Sequence, residues 1–386
     1  MCYPRGVIFT ARGEMEEPQH VRCGSNKNRL RTVENKAWPA VKVNTGTRES
    51  RMARNRRSLL ACTLLLVIMH PRVAIGEWVK LLRPDGTTVN RLIARENVLY
   101  AGTENDIIVS TDAGAHWSIA ATRVFGRIWD LADDARGIVA GKGPSVLVQK
   151  VDDRTSWTVV SMENIFIVIP FENPTALLRC GSTLFVGTTQ TREFGAGGIY
   201  RSPDNGTTWI HVRNGPSGCR VNAFAARGRE VLAATASGIF SSSDNGVNWK
   251  RTVVGLSWYD VKTLVSAGQD FFAGLAQGGV VRSTDNGATW TPVNRGLPDA
   301  AVVFLAAAPR ALFASVPGRG VFMTTDRGAM WVHVSRDLPD SGVAALAVSG
   351  TYLFVGAGSD VWKKPLAELI HTDHGGTRRL LQRAKR

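Results

Sequence analysis

Two carboxylates, Asp130 and Asp260, are the side chains best suited to hydrolytic chemistry, because an acidic pair can divide proton transfer and attack across a glycosidic bond. Arg91, Arg127, Arg220 and Lys262 carry positive charge that could hold an anionic or polar ligand, with Asn222 and Tyr259 as hydrogen-bonding neighbours. The same set also suits the plainer task of solvating a polar channel. Other chemistries find little support. His116, His211, His371 and His374 fall at no metal-ligand spacing, and the Gly187 to Gly198 stretch lacks the Lys-Ser/Thr of a phosphate loop. Neither a metal nor a cofactor is expected. The candidates are spread from position 91 to 262, so a tertiary arrangement has to gather them.

That arrangement is announced by a repeat. Ser110 to Trp117 (STDAGAHW), Ser202 to Trp209 (SPDNGTTW), Ser242 to Trp249 (SSDNGVNW), Ser283 to Trp290 (STDNGATW) and Thr324 to Trp331 (TTDRGAMW) share the pattern [ST]-x-D-x-G-x-x-W. A degraded copy runs from Lys150 to Trp157, where Asp152 and Trp157 remain but Arg154 replaces the glycine. The aspartates at 112, 152, 204, 244, 285 and 326 are spaced by 40, 52, 40, 41 and 41 residues. Four short strands in such a period are what one blade of a β-propeller requires. Within each box the hydroxyl and carboxylate can accept backbone N–H bonds, the glycine permits positive φ, and the tryptophan (Trp117, Trp157, Trp209, Trp249, Trp290 and Trp331) packs outward between strands.

One clean unit gives the strand frame. Val221 to Ala226 reads as strand A, Glu230 to Thr235 as B, Gly238 to Ser242 as C and Asn248 to Thr252 as D, each bounded by Gly, Asn, Asp or Ser. The same frame fits Val89–Trp117, Ile128–Trp157, Thr175–Trp209, Val261–Trp290 and Val302–Trp331. A last unit from Val343 supplies strands A to C and stops; Glu77 to Leu82 can serve as its strand D and close the ring. The expected fold is therefore all-β, a seven-bladed propeller of four-stranded antiparallel blades spanning residues 77–369. Residues at the starts of the A strands then line a central funnel: Arg91, Arg127, Asp130, Arg220, Asn222, Tyr259, Asp260 and Lys262, followed by apolar Val303 and Ala344. The 52-residue spacing marks blade 3, whose Ser161 to Phe171 loop is apolar and whose Thr188 to Gly198 loop is long. Phe166, Phe171, Arg192 and Phe194 are candidate contacts there, either for a partner or as a cap on the core.

Charge and termini bound the remaining choices. The chain has 386 residues and a formal net charge of +15, but the excess is terminal. Residues 1–76 hold 14 basic and 5 acidic residues, the last ten hold five basic ones, and Glu77 to Gly376 is nearly balanced at 28 basic and 27 acidic. A nucleic-acid-binding surface over the whole fold is disfavoured. Arg51, Arg54, Arg56 and Arg57 precede an apolar run from Leu59 to Met69, with small residues at Ala74 and Gly76. This reads as a signal peptide over 52–76 cut after Gly76, and eleven apolar residues are too few for a permanent span. Secretion or periplasmic localisation follows as the expectation, with residues 1–51 as a non-native or disordered extension and 370–386 as a disordered basic tail. A monomer is expected.

The boxes resemble the Asp-box, or BNR, repeat family, which includes sialidases, xyloglucan-cleaving hydrolases, sortilin-type receptors and photosystem II assembly propellers. The resemblance covers Glu77 to about Leu369 and is specific for fold, while the family carries unrelated activities. A sialidase-like reading implies Arg91, Arg127 and Arg220 as a carboxylate clamp and Tyr259 as nucleophile. However, Trp129 follows Arg127-Ile128 where that group has Arg-Ile-Pro, and no glutamate stands beside Tyr259. The resemblance therefore implies a non-catalytic propeller that binds a protein or glycan through its D–A and B–C loop face. A sialidase-like glycoside hydrolase is the alternative, and an assembly factor like the photosystem II propellers a second one.

Overall fold

The structure is a computed structural model that describes residues 77–81, 86–95, 97–120, 127–134, 137–142, 145–150, 157–161, 173–189, 197–252, 260–338 and 342–370. The expected leader, the basic tail beyond 370, most of both blade 3 loops, Tyr259 and Asp152 lie outside these residues.

Six sheets are each built from four consecutive antiparallel strands, and we number them blades 1 to 6. Blade 4 shows the unit: Val221–Arg227, Glu230–Thr235, Gly238–Ser242 and Lys250–Thr252. Its fourth strand starts later than the expected Asn248, because the box turn runs on through Trp249. The uniform count of seven blades needs a correction. Six blades are self-contained, and the remaining sheet is a composite of Val343–Ser349, Tyr352–Ala357 and Asp360–Pro365 with the distant three-residue strand Val79–Leu81. Val79 pairs with Lys363 and Leu81 with Val361, so chain closure rests on one short ladder.

Each first strand packs beside the first strand of the next sheet, and that of the composite sheet packs beside blade 1, closing the ring. The second strands, such as Val98–Thr103, Asp270–Leu275 and Ala311–Val316, are buried along their whole length. Both of their faces meet a neighbouring sheet, which is why they read as continuous apolar runs and not as alternating ones. Every boundary between neighbouring sheets holds its own apolar cluster. Phe185, Phe224, Val231 and Trp249 fill the one between blades 3 and 4, and Leu232, Phe271 and Trp290 the one between blades 4 and 5.

All first strands but that of blade 6 carry a β-bulge near their start, for example between Val89 and Arg91, Ile128 and Asp130, Val221 and Ala223, and Val261 and Thr263. A bulge inserts an unpaired residue and re-aims its neighbours. Here it frees side chains at the funnel mouth to bond across sheets. Thr175 Oγ1 donates to the Val221 carbonyl of the next blade at 2.6 Å, and Asn222 Nδ2 to the Val261 carbonyl at 2.8 Å.

Candidate functional site

The mouth is built from the starts of the first strands. Arg91, Asp130, Arg220, Asn222, Asp260 and Lys262 converge on one cavity of about 450 Å3, whose lining also includes apolar Val303 and Phe304. Arg127 and Ala344, expected there from the sequence, are not part of its lining. Arg127 occupies the position equivalent to Arg220, one residue before the bulged start of its strand. Its guanidinium is instead drawn over the Trp129 ring, 4.5 Å from the centroid, and toward Glu104 at 3.7 Å.

Asp130 is the hub of this face. Its Oδ1 accepts from Arg91 Nε of blade 1 at 2.9 Å, and its Oδ2 accepts from the Leu177 backbone N–H of blade 3 at 2.7 Å. One carboxylate thus ties three blades. Burial pushes its proton affinity up, against the opposing pull of Arg91 and of the Leu177 N–H. Arg91 also lies over the Phe304 ring at 5.2 Å, so its Nε edge is spent on an ion pair and one face on a cation–π contact. Asp260 is held by Lys262 Nζ at 2.7 Å and by Asn222 Nδ2 at 3.3 Å. Arg220 differs from these. Its guanidinium makes no ion pair among the described residues; burial and the nearby charge of Arg91 lower its proton affinity, opposed by Asp260. It stays cationic, since even a lowered guanidinium remains protonated.

The opposite face carries the box turns, and their chemistry is structural. In blade 4, Ser242 Oγ donates to Asp244 Oδ1 at 2.7 Å and accepts from the Gly246 N–H at 2.8 Å. Asp244 Oδ1 accepts from the Asn248 N–H at 2.8 Å, and Oδ2 from the Asn248 side chain at 2.7 Å. The same net recurs around Asp112, Asp204 and Asp285, and around Asp326 without the side-chain bond, because Met330 stands where Asn248 does. Backbone and side-chain donors of Asn248 and Ser242 hold the Asp244 carboxyl down to about 2. Asp112 is held below the usual carboxylate range by His116, and Asp204 and Asp285 by Thr208 and Thr289. The residue before each glycine also takes positive φ: Ala113, Asn205, Asn245, Asn286 and Arg327.

The tryptophans pack between blades, not only between strands of one blade. Trp249, Trp290 and Trp331 are buried, and their indole N–H groups donate to the Gly246, Gly287 and Val293 carbonyls. Trp117, Trp157 and Trp209 are partly buried against their own boundary clusters. Sequence reasoning missed a set of cations that reach the boxes from the preceding sheet. Arg201 Nε donates to the Asn245 carbonyl at 2.8 Å, Lys363 Nζ to the Ala113 carbonyl at 3.0 Å, and Arg227 to the Asn286 side chain. Stacking the repeats reveals the signal for two of them: Arg201 and Lys363 fall at one equivalent position of the third strand, where Arg282 instead turns back to Asp270 of its own blade.

With this geometry in hand, comparison with known proteins places the chain among β-propellers. Residues 231–353 match the family model described as the DUF6242 beta propeller domain. No curated protein matches the chain significantly. Among solved structures it is similar to "YCF48 bound to D1 peptide", at 14% identity and a TM-score of 0.58 over 75% of this chain and 96% of that one. YCF48 from Cyanidioschyzon merolae is similar at 12% identity and 0.58, over 76% and 99%. The GH74 xyloglucanase from Xanthomonas campestris is similar at 16% identity and 0.56, over 74% of this chain and only 53% of its own. At such identities the likeness concerns the fold. Among the described residues no group of His, Cys, Asp and Glu could hold a metal ion, and no helix is long and apolar enough to cross a membrane.

Proposed function

We propose that this chain is an exported, non-catalytic propeller of the Asp-box type that binds a protein or glycan partner through its D–A and B–C loop face. The observation that carries the reading is how charge is spent at the mouth. Asp130 and Asp260 are both committed to ion pairs and hydrogen bonds within the ring, whereas Arg220 borders the cavity without an ion-pair partner. A carboxylate that ties three blades cannot give up its bonds to act as acid or nucleophile without loosening the ring. A guanidinium left open offers a fixed fork for a carboxylate, sulfate or carbonyl group on a partner.

Phe166, Phe171, Arg192 and Phe194 of the blade 3 segments would add apolar and cationic contacts for the same partner. The 52–76 segment would export the chain to the periplasm or medium, where it would act as a monomer. The assembly-factor alternative draws support from similarity to a propeller solved with a peptide bound. In that alternative the partner is a peptide. The test is a pair of glycan and peptide arrays run beside a screen of chromogenic glycosides. Binding that Arg220→Glu weakens at least tenfold, about 1.4 kcal/mol, supports the proposal. Glycoside turnover that Asp260→Ala abolishes overturns it.

A further inference from the structure

On the box face, the boundary between blades 4 and 5 is filled by one side chain. Arg227, the last residue of the strand Val221–Arg227, lies over the Phe271 ring at 4.9 Å and donates to the Asn286 side chain in the blade 5 box. One blade further on, the strand registers place Ala267 where Arg227 stood, Leu312 where Phe271 stood and Arg327 where Asn286 stood. The long side chain has become a methyl group, and the box residue has become a cation. What remains is a cleft of about 280 Å3 between blades 5 and 6, lined by apolar Ala267, Phe272 and Leu312 beside Thr324 and Thr325, and bordered by Arg310 and Arg327.

The charge of this cleft is settled by its surroundings. Asp270 beside it is already held by Arg282, with Nη2 at 2.7 Å and Nε at 2.9 Å, and Arg327 approaches the same oxygen only at 3.7 Å. The Arg327 side chain is 68% exposed, and Arg310 makes no ion pair among the described residues. No carboxylate lines the cleft. A guanidinium like that of Arg227 would be repelled here, whereas an anion would be attracted.

We propose that the cleft between blades 5 and 6 binds an apolar monocarboxylate. Its hydrocarbon body would occupy the space that the Arg227 side chain fills one blade earlier, and its carboxylate would sit between Arg310 and Arg327. Such a group is matched by apolar walls that a sugar or a phosphate would not use, and by two guanidiniums that favour a carboxylate over a neutral amide. The site lies on the face opposite the funnel mouth and stands or falls independently of the mouth reading.

The test is isothermal titration of the full chain with 3-phenylpropionate and, separately, with 3-phenylpropionamide. Expected is saturable binding of the acid, at least tenfold tighter than the amide, lost in Ala267→Met, which refills the cleft, and weakened in Arg327→Gln. Urea midpoints of both variants report whether they fold. Arg327 is exposed, so its variant keeps the test decisive even if Ala267→Met is unstable. No saturable binding, equal binding of acid and amide, wild-type binding in folded Ala267→Met, or wild-type binding in folded Arg327→Gln would each overturn the proposal.

Discussion

Replacing Gly246 by alanine tests whether the box turns act as staples between blades and not merely within one. Gly246 has φ of +76°, and a Cβ there would overlap the Phe185 ring of the preceding blade. Phe185 is 1% exposed and packs edge-on against Trp249 at 6.3 Å, so neither ring has room to retreat. Left-handed backbone at a non-glycine residue costs about 1–3 kcal/mol, and overfilling a packed core adds about 1–3 kcal/mol. The expected loss is therefore about 2–6 kcal/mol. Gly228 is the control: its φ is +60°, and a Cβ there would meet nothing within 4 Å. Gly228→Ala should cost only the backbone part, about 1–3 kcal/mol. Urea titrations followed by tryptophan fluorescence measure both, because Trp249 reports on this boundary. Equal losses for the two variants would refute the contact between blades, since only Gly246 faces a neighbour.

Other consequences follow from the same geometry. Ser242→Ala removes the acceptor for the buried Gly246 N–H, and the urea midpoint should fall by the equivalent of about 1–3 kcal/mol. Asp244 has its folded pKa depressed to about 2, below its unfolded value, so its contribution is complete above that unfolded value and fades as pH falls toward 2. Acid titration by fluorescence should show Asp244→Asn removing part of that loss, by a modest amount because the carboxyl is solvent-screened. Arg91→Ala strands the Asp130 carboxylate, whose side chain is 17% exposed, and should cost about 2–4 kcal/mol. A double-mutant cycle with Asp130→Ala should show a coupling energy well above zero.

The boxes could be read from sequence because the bonds among the hydroxyl, carboxylate and glycine that define the motif close within eight residues. Ser242, Asp244, Gly246 and Asn248 meet one another without help from the rest of the chain. The mouth was legible only in outline. The register of the first strands brought Arg91, Asp130, Arg220, Asn222, Asp260 and Lys262 to one cavity, but pairings were hidden in separations such as the 39 residues from Arg91 to Asp130. Arg127 and Arg220 look alike in the repeat, yet Glu104 and Trp129 claim the first and leave the second open. Box cations were missed for a similar reason: Lys363 meets the Ala113 carbonyl across 250 residues, through ring closure alone. Closure itself hangs on Val79–Leu81, too short to stand out as a strand without the unfilled edge of Asp360–Pro365 to receive it.

The central claim, that the mouth binds and does not hydrolyse, is tested most directly by array binding of Arg220→Glu against wild type, with Asp260→Ala carried through the glycoside screen. The account predicts that partner binding falls at least tenfold in Arg220→Glu while its urea midpoint is unchanged, and that no glycoside is turned over by either protein. Unchanged binding in Arg220→Glu, or turnover by wild type that Asp260→Ala abolishes, would contradict it.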